Sequence, residues 1–269
     1  MSSTIKTTAQ GHPEAGTRPS KARIRNSFEC AAPTYGAAAF VQRRVCARLA
    51  VGLPATITVH RILDAGCGTG FALPLLHQRY PAARSIALDF APAMLRHIGE
   101  PCWLLAGDLE HLPLASASID LYWSSLAVQW CDLARALAEA RRVLANDGAL
   151  VLASLGPATF HELRTAFAGI DAHRHTLAFH TPDEISQLAS QAGFVAVDVE
   201  KHTEIAHYAD FRSLLRAVKA IGANQLGVGR RTGLLSRDAF ARAELAAEAL
   251  RTPDGLPLTY DVITLHART

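Results

Sequence analysis

The chain has 269 residues, 49% of them hydrophobic, and a formal net charge of only +3, which suits a large buried core and excludes a disordered or polyelectrolyte class. Its longest uncharged apolar run, Gly148 to Phe160, is too short to span a bilayer and is broken by Gly156-Pro157, and the polar N-terminal stretch lacks the apolar segment of a secretory signal. Five cysteines (Cys30, Cys46, Cys67, Cys102, Cys131), odd in number and without a C-x-x-C, argue against disulfides and zinc, so a cytoplasmic protein with no metal and no membrane contact is expected.

Residues 1–22 are rich in Ser, Thr, Gly, Pro and Ala and lack apolar periodicity, which predicts a disordered tail ahead of one domain over 23–269. From Ile24 to Ala50 the apolar residues fall at helical spacing, interrupted at Pro33. The expectation is a short helix, a bend and a longer helix, positioned to cover a pocket before the first strand. Tyr35, just past that bend, reads either as a lid residue or as a core aromatic.

Charge is uneven. Seven Lys or Arg face one acid between Arg18 and Arg48, and eight face three between Lys201 and Arg242, while Arg61 to Phe160 carries a small acidic excess. An acidic partner met by the peripheral segments is one reading, and solvated surface is the other. No nucleic-acid motif accompanies the basic segments, so nucleic acid is not expected.

The core begins at Arg61-Ile62-Leu63-Asp64-Ala65-Gly66-Cys67-Gly68-Thr69-Gly70, a short buried strand ending in a carboxylate and a glycine-rich turn. Gly66, Gly68 and Gly70 allow backbone amides close to a ligand. A dinucleotide fingerprint needs G-x-G-x-x-G, yet the third glycine position holds Phe71. Asp89 lies nineteen residues past Gly70, at a strand end where an acid can take both ribose hydroxyls. This D-x-G-x-G-x-G with its downstream acid resembles the S-adenosylmethionine loop of Rossmann-like, class I methyltransferases.

Strands near 60–65, 84–89, 102–107, 119–124 and 148–155 alternate with helices near 70–80, 92–99 and 133–145, which predicts a mostly parallel sheet with helices on both faces. Asp64, Asp89, Asp108 and Ser124-Ser125 all fall at predicted strand ends, where such sheets gather ligands. Asp108, followed by Leu109, is a candidate acceptor for an adenine amino group. Asp64, Gly66, Cys67, Gly68, Gly70, Asp89, Asp108, Leu109 and Ser124 therefore form the candidate cofactor set.

Beyond the fifth strand, residues 157–192 read as two helices, the second opened by the capping box Thr181-Pro182-Asp183-Glu184. A long strand follows from Phe194 to Tyr208. The helix from Asp210 carries a basic stripe of Arg212, Arg216 and Lys219, then come the Gly-rich residues 222–233, a helix from Ser236 and a final strand from Leu258. The run His173, His175 and His180 lacks an accompanying carboxylate or cysteine pattern and is read as a polar loop.

Ser124-Ser125-Leu126-Ala127-Val128-Gln129-Trp130-Cys131 resembles the S-N-L-A-V-Q-W-C segment of the malonyl-acyl-carrier-protein O-methyltransferases of biotin synthesis, with Ser125 where that family often has Asn. Phe28-x-x-Ala31-Ala32-x-x-Tyr35 with Ala39 and Gln42, the segment Ala106 to Leu114, Lys219-Ala220-Ile221-Gly222-Ala223 and Pro257-Leu258-Thr259-Tyr260 are similar to the same family. The resemblance runs from Ile24 to the end. It implies a seven-stranded methyltransferase sheet with an antiparallel edge, an N-terminal helical lid and helical insertions near 157–192 and 210–250.

It also implies S-adenosylmethionine as cofactor, and as substrate the free carboxylate of a malonyl thioester on acidic acyl carrier protein, or on coenzyme A. A carboxylate acceptor is already ionised at neutral pH and needs no general base. The expected substrate set is Tyr35 as lid, Gln129 as donor, and Arg216 or Lys219 as the cation orienting the malonyl carboxylate, with carrier docking as the other use of the stripe. Two other functions fit the same loop: a methyltransferase of a free small molecule, and a methyltransferase-like assembly factor of respiratory complex I.

Overall fold

The computed structural model describes residues 18–55, 57–170, 176–221 and 235–269. Seven strands form one sheet: β1 (Arg61–Ala65), β2 (Arg84–Asp89), β3 (Trp103–Ala106), β4 (Ile119–Ser125), β5 (Leu144–Leu155), β6 (Val195–Tyr208) and β7 (Leu256–Arg268). Their order is β3-β2-β1-β4-β5-β7-β6, with β1 to β5 paired in parallel. The late strands form the expected antiparallel edge: β7 is antiparallel to both β5 and β6, and β6 is outermost. The apolar content decides which of the two lies inside, since Val262, Ile263 and Leu265 of β7 are fully buried whereas most of β6 is exposed.

Nine α-helices cover the sheet among the described residues: α1 (Lys21–Ala38), α2 (Phe40–Val51), α3 (Leu73–Arg79), α4 (Pro92–Leu95), α5 (Leu133–Val143), α6 (His161–Phe167), α7 (Pro182–Gln191), α8 (Phe211–Ala220) and α9 (Arg237–Glu248). The parallel core strands are buried on both faces, with Ile62, Leu63, Leu121 and Leu150 at 0% exposure. One apolar cluster joins Leu63, Tyr122 and Leu150 to α5 and α7, and another joins Ile62, Leu121 and Val151 to α2, α6, α8 and α9. The expected Thr181 capping box at α7 is present, with the Glu184 amide donating to Thr181 Oγ1 and the Thr181 amide to Glu184 Oε2.

Pro33 does not interrupt the N-terminal helix. Helix α1 runs through it to Ala38, and the break falls at Ala39, whose φ and ψ are −86° and 42°. Proline removes one amide donor from the ladder, but Ala31 and Ala32, just before it, are clamped against Ala91, Ala93 and Met94 beside α4. That packing seats α1 over the carboxyl ends of the first strands. Helix α1 also starts at Lys21, inside the stretch read as tail; residues 1–17 of that tail lie outside the described residues, as do His173, His175 and the Gly-rich residues 222–233.

Candidate active site

The site forms where the strand order turns. Strands β1 and β4 are neighbours, but the chain visits β2 and β3 on one side before crossing to β4, so a crevice opens at their carboxyl ends. The loop after β1 turns back on β2, with the Gly66 and Cys67 amides donating to the Leu88 carbonyl at 2.7 and 3.0 Å. Gly66 has φ +76°, and a Cβ there would sit 2.3 Å from the Cβ of Ala127; glycine is the side chain that fits. Gly68, at φ +54°, leaves open space with the Tyr35 ring 3.6 Å from where a Cβ would be.

Two connected groups of residues line the crevice. The outer chamber is bounded by Gly66, Gly68, Asp89, Asp108, Leu109 and Ser125, and roofed by Lys21, Phe28 and Tyr35 of α1 together with Trp130. Asp89 accepts from the Gly68 amide at 2.9 Å and the Ala91 amide at 2.8 Å, which fixes its carboxylate at the chamber wall. Burial nevertheless raises its pKa, against the lowering effect of those amides. The inner chamber, under Tyr35, is lined by Gln42, Cys46, Asp64, Cys67, Phe71, Trp123 and Ser125.

Asp64 is the unusual group. It is 2% exposed, its Oδ2 has no hydrogen-bond partner, and burial plus the charge of Asp89 push its pKa up to about 8. Gln42 Oε1 and Trp123 Nε1 beside it are also buried without a partner. Unsatisfied buried polar atoms are rare because each costs roughly 1–3 kcal/mol. Three of them around one small chamber mark a place built for a polar ligand, with two acceptors and one donor ready.

The roof is aromatic. Tyr35 stacks on Phe71 at 6.3 Å between centroids, Phe28 meets Tyr35 edge-on at 6.5 Å, and Trp130 meets Phe28 edge-on at 5.6 Å. Lys21 closes the outer end of the roof by pairing with Asp108 and, at 3.0 Å, with Glu110. Burial alone lowers the Lys21 pKa, but the bonds and charges of the two acids outweigh it and raise it.

Several expected residues land elsewhere. Ser124 is fully buried and its Oγ donates to the Ala65 carbonyl at 2.8 Å, so it serves the sheet, and Ser125 faces the chamber instead. The signal was the period of two: Asp64 is in register with Trp123, so the chamber side continues to residue 125 rather than 124. Gln129 folds back, its Nε2 donating to the Leu126 carbonyl at 2.6 Å, and the wall at this point is Trp130. Gly70 shapes the turn at φ +84° beside Ile98 and Leu73 without reaching either chamber.

Arg216 and Lys219 are outside both chambers; they line a separate groove with Asn26, Ser27 and Thr34 on another face of α1. The residues missed by sequence reasoning are Lys21, Glu110, Gln42, Cys46 and Trp123. Lys21 lies 87 positions from Asp108, and no local pattern carries such a pairing.

Residues 63–152 match the family described as "Methyltransferase domain". The chain is 66% identical over 268 residues, spanning 100% of both sequences, to a malonyl-[acyl-carrier protein] O-methyltransferase of Dechloromonas aromatica (strain RCB). It is 42% identical over 265 residues, covering 92% of this chain and 89% of the relative, to one of Laribacter hongkongensis (strain HLHK9). Among solved structures it resembles a SAM-dependent methyltransferase from Archaeoglobus fulgidus (TM-score 0.51, 19% identity, 85% and 94% of the two chains). A similar likeness holds to a possible histamine N-methyltransferase from Thermotoga maritima (TM-score 0.53, 18% identity, 91% and 99%). These two show a shared fold. The sequence relationship is far closer, and by it this chain belongs to the malonyl-[acyl-carrier protein] O-methyltransferase family.

Proposed function

We propose that the chain transfers the methyl group of S-adenosylmethionine to the free carboxylate of a malonyl thioester carried on acyl carrier protein, giving the malonyl methyl ester used in biotin synthesis. The observation that carries this reading is the 66% identity running the full length of both sequences. The chamber geometry supports it. The unpartnered Asp64 Oδ2 and Gln42 Oε1 suit the amino group of the cofactor's methionyl end, Asp89 suits the ribose hydroxyls, and Asp108 with Leu109 suits adenine.

When bound, S-adenosylmethionine supplies an electrophilic methyl group beside a positive sulfonium. The acceptor is an anion at neutral pH, so this chain contributes no general base, and its twelve histidines need no such role. Its work is positioning and exclusion of water. Phe28, Tyr35 and Trp130 form an apolar roof, and a dry site favours a reaction in which opposite charges are neutralised. Orientation of the two reactants is worth up to about 7–11 kcal/mol. Helix α1 acts as the lid, held down at its first turn by Lys21.

Mass spectrometry of methyl ester formed on malonyl-carrier protein, malonyl-coenzyme A and free malonate tests the reading. The carrier-bound thioester should give the highest kcat/KM, and the gene should restore growth to a biotin auxotroph lacking this step. Absence of ester on both thioesters, together with failure of the rescue, overturns it.

A further inference from the structure

The groove on the far side of α1 is unused by the chemistry above, and its composition is one-sided. It has a volume of about 410 Å³ and is lined by Asn26, Ser27, Cys30 and Thr34 from α1 and by Arg216 and Lys219 from α8. Among the described residues no carboxylate lines it. Among the described residues neither Arg216 nor Lys219 has an ion-pair partner, while Arg212, the third member of the stripe, lies over the Phe240 ring at 4.5 Å. The stripe is thus divided, with one cation covering an aromatic ring and two turned to the groove. Opposite them stands the Asn26 amide, so donors come from both walls.

We infer that this groove binds the phosphate of the substrate's phosphopantetheine arm. A phosphate is a compact, acceptor-rich anion, and paired basic side chains facing neutral donors are the chemistry that holds one. The groove and the cofactor chambers flank the same turn of α1. Thr34 lines the groove and its chain neighbour Tyr35 lines the cofactor chambers, so the arm's charged end and its reacting end meet the two sides of one helix turn. The expectation that Arg216 or Lys219 holds the malonyl carboxylate is thereby replaced by a role at the other end of the same substrate. This inference rests on the proposed thioester substrate.

Cys30 gives a readout that does not depend on turnover. It is exposed in the groove, whereas Cys46 and Cys67 are buried and Cys102 and Cys131 partly so. Alkylation of Cys30, followed by mass spectrometry on the full chain, should be slowed several-fold by 4′-phosphopantetheine and unaffected by the same concentration of pantetheine. The exposed pair Arg216→Gln with Lys219→Gln should abolish that protection and leave the melting temperature unchanged. In parallel, kcat/KM for S-malonyl-phosphopantetheine should exceed that for S-malonyl-pantetheine by about tenfold, the gain expected of charge-assisted hydrogen bonds. The double variant should bring the ratio to one.

Equal protection by both arms, or by neither, overturns the inference. So does a double variant impaired only on carrier-bound substrate, which assigns the pair to the carrier's surface. If neither the small thioesters nor malonyl-carrier protein is methylated while Cys30 is protected by the phosphorylated arm alone, the groove stands and the methyl-acceptor assignment falls.

Discussion

Strand β1 carries a charged neighbourhood at each end, and the two are built in opposite ways. At the amino end Asp120 of β4 accepts from the His60 and Arg61 amides at 3.0 and 2.9 Å and pairs with the Arg61 guanidinium at 2.7 Å. Burial works to raise its pKa, but the Arg61 bond and the amides prevail and hold the carboxyl below its usual range. Three residues along the same strand, Asp64 is buried with an unpartnered oxygen and a pKa near 8. One end is satisfied by the fold and stabilises it. The other is left unsatisfied by the fold and waits for a ligand, the usual sign of a binding site.

The strongest way to break this contrast is to fill the carboxyl end. Replacing Gly68 by Leu puts a side chain into the space under Tyr35 at a positive φ. Cofactor affinity by calorimetry should fall about 100-fold or more, roughly 3 kcal/mol. The chain should still unfold cooperatively, since the space it enters belongs to the chamber. A Gly68→Leu protein that keeps its affinity would show that the loop is a plain turn.

Damaging the amino end should do the reverse. Asp120→Ala leaves two amides and a guanidinium without their acceptor, and should cost about 1–3 kcal/mol of stability in urea unfolding at neutral pH, with cofactor affinity unchanged. Because the folded-state pKa of Asp120 is depressed, its contribution is present above the ordinary carboxylate range. It is lost as pH falls through the depressed value. An affinity loss equal to that of a chamber mutation would erase the distinction between the two ends.

The smallest effect sharpens the contrast most. With its pKa near 8, Asp64 holds a proton in the unliganded chain at neutral pH, and a bound ammonium group favours the carboxylate. Cofactor binding should therefore release a proton below pH 8, with affinity rising by at most about tenfold per pH unit towards that value. Calorimetry in two buffers of different ionisation enthalpy measures the release, and Asp64→Asn should abolish it. Folding has the opposite sign at this residue. Its pKa is raised in the folded chain, so stability falls as pH climbs from the carboxylate range to about 8, and Asp64→Asn should remove that slope.

Local chemistry was legible where it is encoded by neighbours in the chain. The glycine loop, the strand-end acids Asp64, Asp89 and Asp108, and the α7 cap all rest on residues a few positions apart, and all stand where expected. The choice between Ser124 and Ser125 was one residue wrong, because the phase of β4 is set by its register against β1 rather than by its own sequence. The groove was illegible because its two walls, near residues 30 and 216, meet only in space.

The sequence by itself determined the alternation of strands and helices, the turn that must be glycine, and the acids at the ends of the first three strands, because period and φ restrict these locally. Tertiary structure alone decided the rest. It placed β7 inside the sheet, where its apolar residues are covered on both faces. It carried α1 through Pro33 as one helix with Ala31 and Ala32 packed on Ala93 and Met94, and it set Arg216 and Lys219 apart from the chambers. It also left Asp64 in a dry chamber without a partner, since desolvation depends on everything packed around a residue and not on its neighbours in the chain.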